Sequence, residues 1–196
     1  MMADSKRCDW CGDDPLYVAY HDTEWGVPQF DSRTLYEKLM LDGFQAGLSW
    51  ITILRKRDGF RDAFEGFKPE VIARYGDKEI ERLVQDARIV RHRGKIVATI
   101  GNAQAYLKIS ETESFSDYLW KHVDGKPIQN RMKTMADVPG STELSTKISK
   151  QLKKDGFKFC GPTIVYAVMQ AMGMVNDHMI GCPRHKACAE LAKARK

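Results

Sequence analysis

The sequence predicts an all-α fold. Apolar residues recur three and four positions apart along several segments, as they do on the buried face of an amphipathic helix. Residues that suit helix starts, such as Asp31 and Pro69, stand at the beginning of these segments, and the alternating pattern of a strand is almost absent. No linker or internal repeat divides the chain, so residues 1–196 are expected to form one domain.

The first thirty residues contain two kinds of candidate site. Cys8 and Cys11 have two residues between them, a spacing that can supply half a zinc site but is a weak signal alone. Aromatic residues are dense in the same stretch: Trp10, Tyr17, Tyr20 and Trp25. Such a group usually forms a small hydrophobic subcore. The functional alternative is a pocket that stacks a flipped-out base between its walls.

The next segment combines a helix, a carboxylate and a turn. Helical spacing predicts a helix that is capped by Asp31 and ends at about residue 41. The nine residues that follow read Asp-Gly-Phe-Gln-Ala-Gly-Leu-Ser-Trp, which puts Gly47 and Leu48 at a turn or at the start of the next helix. An acid near an aromatic ring can recognise a flat cationic ring. The alternatives are a solvated Asp42, a core Trp50 and a core Leu48.

The middle of the chain predicts two helices joined by a basic connection. Residues 58–76 are expected to form short helices, and Asp77 is a candidate cap for a helix over residues 78–86. A long helix is expected from Ile96 onwards. The connection at residues 87–95 carries four cations that can bind phosphates: Arg88, Arg91, Arg93 and Lys95. This is the layout of a helix-hairpin-helix DNA-binding element, with Gly94 as its turn, although the usual glycine pattern is absent. An ordinary solvated helix pair is the alternative.

The C-terminal third predicts three more helices and a second metal half-site. Helices are expected around residues 115–120 and 141–154 and after Pro162, with a loop at 125–140. His178 and Cys182 are four residues apart, so on a helical turn they would face the same way. Residues 183–196 form a basic tail that is expected to be frayed.

Composition narrows the function classes. The net charge of +5 suits a polyanionic partner but is shared by many enzymes. No apolar run is long enough to cross a membrane, and no apolar segment follows the first seven residues as in a secretory signal. We therefore expect a cytoplasmic protein without a membrane partner. Its five cysteines are then expected to be reduced, and either buried or bound to a metal.

Several long motifs together resemble the bacterial 3-methyladenine DNA glycosylase I family. Residues 44–50 read Phe-Gln-Ala-Gly-Leu-Ser-Trp, residues 14–17 read Asp-Pro-Leu-Tyr, and residues 24–28 read Glu-Trp-Gly-Val-Pro. Residues 161–163 read Gly-Pro-Thr, and residues 175–178 read Val-Asn-Asp-His. The resemblance runs from about Cys8 to Cys182, with the motifs in the family's order.

The resemblance implies a helix-hairpin-helix glycosylase fold that excises 3-methyladenine from alkylated double-stranded DNA without cutting the strand. It implies an acidic contact by Asp42 and pocket walls made by Trp10, Tyr17, Tyr20, Trp25 and Trp50. We expect Gly47 and Leu48 to enter the DNA stack. The family also matches four ligands of one structural zinc that would join the two ends of the chain: Cys8, His21, His178 and Cys182. The rival ligands are Cys11, Cys188 and His185.

The chain departs from the family at one position of the site. Where the family typically has glutamate, this chain has Asp42, which is shorter by one methylene group. A non-catalytic, zinc-stapled DNA-binding module is therefore a second hypothesis. A zinc hydrolase is a third, but it needs an open metal position, and four plausible ligands argue against it. A monomer is sufficient for each of these functions.

Overall fold

A computed structural model describes residues 6–193. Of these residues, 63% are in helices and 2% in strands, so the predicted fold class is confirmed as mostly helical. Over this range the α-helices are α1 (Pro15–Thr23), α2 (Ser32–Gln45), α3 (Trp50–Ala63), α4 (Pro69–Ile72), α5 (Asp77–Gln85), α6 (Arg93–Ser110), α7 (Phe115–Trp120), α8 (Glu143–Lys154), α9 (Pro162–Ala171) and α10 (Pro183–Lys193). None of these helices is long and apolar enough to cross a membrane.

Two very short strands pair within the helical fold. Strand β1 (Ile128–Gln129) lies parallel to β2 (Val175–Asn176), with Ile128 opposite Val175. The pairing joins the loop after α7 to the segment that leads into His178 and Cys182. This loop was expected to have little structure, and outside the strand it contains only a 3₁₀ turn, Met135–Asp137, among its regular elements.

Helix α2 is longer than the sequence predicted. Asp31 caps it as expected, since its Oδ2 accepts a hydrogen bond from the Thr34 amide at 2.7 Å. The helix does not end near residue 41, however, but at Gln45. Lys95 of α6 donates from Nζ to the carbonyl oxygens of Phe44 at 2.8 Å and Ala46 at 2.7 Å, which satisfies carbonyls that a helix end leaves free. Asp42 therefore lies inside a helix.

Two other helix boundaries also differ from those that the sequence predicted. Residues 58–63 continue α3 instead of forming a short helix, because Phe60 and Ala63 fall on its buried face. Helix α5 is capped by Gly76, whose amide donates to Glu79 Oε2 at 2.8 Å, so Asp77 is its first helical residue. Both differences are shifts within helices that the sequence did predict.

The core lies between the central helices and fixes the walls of the site. Phe44 of α2 packs on Phe60 of α3, with ring centroids 4.7 Å apart, and on Phe64 at 5.9 Å. Helix α9 packs against α2 and α8, and α3 packs against α1 and α2. Helices α1, α2, α3 and α9 thereby surround a common space.

The C-terminal segment forms a helix, whereas the sequence analysis predicted that it would be frayed. Helix α10 continues to Lys193, with Cys188 buried at 1% exposure; residues 194–196 lie outside the described residues. The helical turn expected for His178 and Cys182 is also absent, since both lie in the loop between β2 and α10. A tight turn brings them together instead, with the Cys182 amide donating to the Met179 carbonyl at 2.8 Å.

Candidate functional site

A cavity of about 210 Å³ lies between α1, α2, α3 and α9. It is smaller than the roughly 300–1,000 Å³ of pockets that hold drug-sized ligands, so it suits one planar ring system. Its lining includes every residue that was predicted for the pocket: Trp10, Tyr17, Tyr20, Trp25, Trp50 and Asp42. The aromatic cluster is thus the wall of a cavity as well as a hydrophobic subcore.

The aromatic rings are held at defined angles. Trp10 meets Tyr17 and Trp25 edge to face, at centroid distances of 5.0 and 5.1 Å. Tyr20 and Trp50 are tilted by 45° at 5.5 Å. The indole N–H groups of Trp10 and Trp50 are buried and have no hydrogen-bond partner among the described residues. Because both residues line the cavity, these two donors are candidates for bonding a ligand.

Asp42 supplies a free acceptor in the same cavity. The residue is 1% exposed, and its Oδ1 accepts a hydrogen bond from Lys38 Nζ at 2.7 Å. Its Oδ2 is buried without a partner within residues 6–193. Burial raises the pKa of Asp42, and the neighbouring Lys38 opposes that rise. A ligand with a suitably placed N–H group would satisfy this oxygen.

Lys38 is a site residue that the sequence analysis missed. Its Nζ lies 3.3 Å from the ring centroid of Trp50 and 5.8 Å from that of Tyr20, in addition to its contact with Asp42. Burial lowers the pKa of Lys38, and Asp42 opposes that shift. The available signal was the four-residue spacing of Lys38 and Asp42, which places both on one face of a helix.

Asp177 is a second acid of the cavity that was not predicted. Its Oδ2 accepts hydrogen bonds from Tyr166 at 2.6 Å and from Gln170 at 2.8 Å, and its Oδ1 accepts one from Asn130 at 2.6 Å. Both oxygens are thus engaged in holding α9 and the loop after β1. Asp42, which keeps one oxygen free, is therefore the better candidate for contacting a ligand.

A buried cluster beside the cavity could bind a metal ion. The ligand atoms of Cys8, His21, His178 and Cys182 all lie within 4.8 Å of one another. The Cys8 Sγ–His178 Nδ1 and Cys182 Sγ–His21 Nε2 distances are both 3.6 Å. Tetrahedral zinc with bonds of about 2.0–2.3 Å places its ligand atoms roughly that far apart. The donor set and its spacing therefore fit zinc.

The rival ligands have other partners. Cys11 Sγ donates to the Cys8 carbonyl at 3.2 Å, and His185 Nε2 forms a hydrogen bond with the Asn130 carbonyl at 2.8 Å. Cys188 Sγ accepts a hydrogen bond from Arg184 at 3.7 Å. The cluster therefore contains the four residues expected from the resemblance and none of the three alternatives.

Hydrogen bonds outside the cluster orient its histidines. His21 Nδ1 contacts Asp22 Oδ1 at 2.8 Å, and His178 Nε2 contacts the Trp25 carbonyl at 2.9 Å. A hydrogen bond from Cys8 chiefly lowers the pKa of Cys182, helped by both imidazoles, while the same contact raises the pKa of Cys8. The cluster is thus built against Trp25, a wall of the cavity.

The turn between α2 and α3 displays Leu48. Gly47 has a φ of +83°, which favours glycine, and the Leu48 amide donates to the Gln45 carbonyl at 2.6 Å. The side chain of Leu48 is 42% exposed, so it is not the core residue that was its alternative.

The basic connection lies between α5 and α6 as predicted, but its cations differ in availability. Arg91 is exposed, whereas Arg88 pairs with Asp86 at 2.8 Å and Arg93 with Glu81 at 2.7 Å. Lys95 is 7% exposed, and its ammonium group binds the end of α2. The prediction that Lys95 binds phosphate is therefore wrong.

The connection does not turn at its glycine. Gly94 is the second residue of α6 and has no positive φ, contrary to the expectation that it would form the turn. The connection is instead held against α3. Lys56 Nζ donates to the Ala87 carbonyl at 2.7 Å, and a Cβ on Gly59 would lie 2.7 Å from that of Arg88.

Comparisons with known proteins agree with this geometry. The sequence model of the methyladenine glycosylase family matches residues 10–185. The chain is 53% identical to DNA-3-methyladenine glycosylase 1 of Escherichia coli K12 over 178 residues, which is 90% of this chain and 95% of that protein. Haemophilus influenzae DNA-3-methyladenine glycosylase is 48% identical over 180 residues, covering 91% and 97% of the two chains.

Solved structures give the same result. A crystal structure of 3-methyladenine DNA glycosylase I superposes with a TM-score of 0.89 at 52% identity, covering 91% of this chain and 98% of the other. The family match over residues 10–185 includes the aromatic cavity, the turn at Gly47 and three of the four clustered metal-ligand residues, while Cys8 lies before it. The chain therefore belongs to the methyladenine glycosylase family.

Proposed function

We propose that this protein is a DNA glycosylase that excises 3-methyladenine from alkylated double-stranded DNA by hydrolysis and leaves the strand uncut. Family membership supports this function. The observation in the structure that carries it is the small aromatic cavity, whose lining residues include two indole N–H donors and one carboxylate oxygen that have no partner in the described part of the chain. Such a cavity can hold one planar base that has left the DNA stack.

The chemistry requires capture more than acid catalysis. Methylation at N3 makes adenine cationic, so its bond to the sugar is already weakened. When the C1′–N9 bond breaks, its electron pair stays on the base, which leaves neutral. The oxygen of a water molecule then bonds to C1′ and loses a proton to solvent. No lysine is needed to attack the sugar, and strand cleavage is therefore not expected.

The cavity residues divide the recognition between them. Aromatic faces attract a cationic ring more strongly than a neutral adenine. The cavity presents five aromatic side chains: Trp10, Tyr17, Tyr20, Trp25 and Trp50. Asp42 Oδ2 would accept a hydrogen bond from the polar edge of the base. Normal adenine also keeps its stacking and pairing in the duplex, which adds to the discrimination.

The DNA contacts are assigned to two exposed features. Leu48, presented by the turn at Gly47, would fill the gap that the flipped nucleotide leaves. The connection between α5 and α6 would act as the hairpin of a helix-hairpin-helix element. There Arg91, Arg88 and Arg93 would bind phosphates, the latter two after exchanging their carboxylate partners.

The metal cluster is proposed to hold one structural zinc ion. Two cysteines and two histidines fill a tetrahedral site, which leaves no position for a reactive water molecule. Bound zinc would tie the segment before α1 to the loop before α10, and through His178 it would fix the backbone of Trp25. Its contribution is therefore to stability and to the shape of the cavity.

Base release from methylated double-stranded DNA, with the products separated by chromatography, tests the function. We expect free 3-methyladenine and an intact strand that carries an abasic site. A protein that binds this DNA and releases no base would instead be the zinc-stapled DNA-binding module. Arg91→Gln should weaken binding on all sequences and reduce the salt dependence by about one phosphate contact. An unchanged salt dependence would remove the hairpin assignment.

Two matched cysteine variants test the metal assignment. Native mass spectrometry should show one zinc ion bound to the protein and to Cys11→Ala, but none bound to Cys8→Ala. The two cysteines lie on the same 3₁₀ turn or beside it and are both buried, so general damage to this segment affects both variants. Loss of zinc from Cys11→Ala alone would show that Cys11 is the ligand.

A further inference from the structure

The base cavity already contains a cation. The ammonium group of Lys38 lies 3.3 Å from the Trp50 ring centroid and donates to Asp42 Oδ1 at 2.7 Å. These are the two kinds of contact, an aromatic face and a carboxylate, that a cationic purine would need. Because Lys38 lines the cavity itself, it occupies part of the space that such a ring would enter.

A second, smaller cavity is lined by the same lysine. It measures about 50 Å³, and its lining includes Lys38, Tyr20 and Trp50, which also line the base cavity. Four further lining residues are charged, the acids Glu24 and Glu37 and the arginines Arg57 and Arg61. A rotation of the lysine side chain would therefore take its ammonium group from one carboxylate to a space beside two others, each with an arginine nearby.

We propose that Lys38 is a specificity-determining residue, because its ammonium group fills the cation position between Trp50 and Asp42, and a cationic base must displace it into the smaller cavity before binding. This inference rests on the proposed function. The added element is the ammonium group of Lys38, which is distinct from the carboxylate and the aromatic walls.

The charges around Lys38 favour displacement over joint occupancy. Two unit charges of the same sign in one small, poorly hydrated cavity repel each other strongly. In the smaller cavity, Glu24 is paired with Arg57 and Glu37 with Arg61, so the acids there are already balanced by cations. The displaced position is therefore less favourable for Lys38 than its contact with Asp42, and the energy difference between the two positions sets how much a cationic ligand must overcome.

Displacement has a measurable consequence for affinity. Only molecules whose lysine has left the cation position can bind the base, so the apparent dissociation constant is the intrinsic one divided by the fraction of such molecules. A variant without the ammonium group should bind a cationic purine more tightly than the parent protein. A neutral purine of the same shape should gain much less, since it does not compete for the cation position.

The test measures binding of 3,9-dimethyladeninium, a permanently cationic purine, and of neutral 9-methyladenine by tryptophan fluorescence at pH 8. Lys38→Met should bind the cation about tenfold more tightly or better and the neutral ring within about twofold of the parent. Lys108→Met, which removes an exposed lysine of α6, is the matched control and should match the parent for both ligands. Lys38→Gln, which keeps a polar partner for Asp42, replaces the methionine variant if that variant does not fold.

A second measurement probes the cation position directly. n-Butylammonium, which copies the lysine side chain, should compete with 3,9-dimethyladeninium for Lys38→Ala and not for the parent. Equal affinity of the parent and the Lys38 variants for the cation would overturn the role of Lys38 while leaving the proposed function intact. An equal gain for the cation and the neutral purine would overturn it too, because only space would then have been created. Failure of the cation to bind any variant would overturn the proposed function, and this inference with it.

Discussion

Replacing Asp42 by asparagine should damage both stability and excision, for one structural reason. The carboxylate and Lys38 Nζ form an ion pair at 2.7 Å in which the side chains are 1% and 8% exposed. Asp42→Asn keeps the size of the side chain and removes its charge. The lysine would then be a buried cation that has lost its carboxylate partner, which is costly because burial disfavours an uncompensated charge.

The expected magnitudes follow from the burial of the pair. Breaking a buried ion pair by removing one partner costs about 3–5 kcal/mol, and movement of Lys38 towards Glu24 and Glu37 should keep the loss near the lower value. A domain of this size loses about 2–4 °C of Tm per kcal/mol, so the Tm should fall by roughly 6–12 °C. Loss of a charge-assisted hydrogen bond to the base should slow single-turnover excision by about 10- to 100-fold.

Thermal unfolding by circular dichroism and single-turnover release of 3-methyladenine measure the two effects. The control is Glu190→Gln, whose partner Lys186 is also four residues away on a helix but whose pair is exposed and 3.9 Å long. This control should change the Tm by less than about 2 °C. If Asp42→Asn unfolds at the same temperature as Glu190→Gln, the buried pair does not stabilise the fold. If it excises as fast as the parent, Asp42 is not the recognition acid.

Three further changes test the surroundings of the site. Gly26 has a φ of +78°, and a Cβ there would lie 2.8 Å from His178 Nε2, so Gly26→Ala should lower the unfolding free energy by about 1–3 kcal/mol and weaken metal binding in native mass spectrometry. Lys95→Met should leave two carbonyls at the end of α2 unsatisfied, at a cost of about 1–3 kcal/mol, and hydrogen exchange at residues 45–48 should accelerate. A hydrogen bond from Arg88 lowers the pKa of Asp86 from its ordinary 3.8, so this contact stabilises the fold above about pH 4 and is lost as the pH falls through the lowered pKa. Arg88→Met should raise the Asp86 carboxyl titration measured by NMR towards the ordinary value.

The parts of the site that the sequence predicted are those encoded by residue type and order. The resemblance implied one pocket with an acidic contact at Asp42 and five aromatic walls, and the structure lines one cavity with all six residues. The four metal ligands were chosen by resemblance, since spacing alone left Cys11, Cys188 and His185 open. Gly47 was expected at a turn or at the start of the next helix, and the structure places it in the turn between α2 and α3, with a positive φ that glycine accepts.

The parts that failed depend on contacts between distant segments. The end of α2 is set by Lys95, which is about fifty residues away in sequence, so no local signal near residue 41 could place it. The prediction that Lys95 binds phosphate failed too. Nothing in a basic stretch of sequence shows that one of its lysines will be buried in the fold. The order of α10 likewise depends on the burial of Cys188.

Lys38 changes how the aspartate at position 42 should be understood. From the sequence, Asp42 differed from the family's glutamate only in reach, and its shorter side chain threatened the contact with the base. In the folded protein the same carboxylate, which lines the cavity, is held by a lysine one helical turn earlier, and its Oδ2 has no partner among residues 6–193. A glutamate would carry its charge one methylene further from the helix, so Lys38 could not keep its present contacts with both the acid and the Trp50 ring unless side chains moved. The aspartate and the lysine therefore work as one unit. The acid's reach is set by the cation it must hold when no base is present, and its affinity for a base is set by how readily that cation leaves.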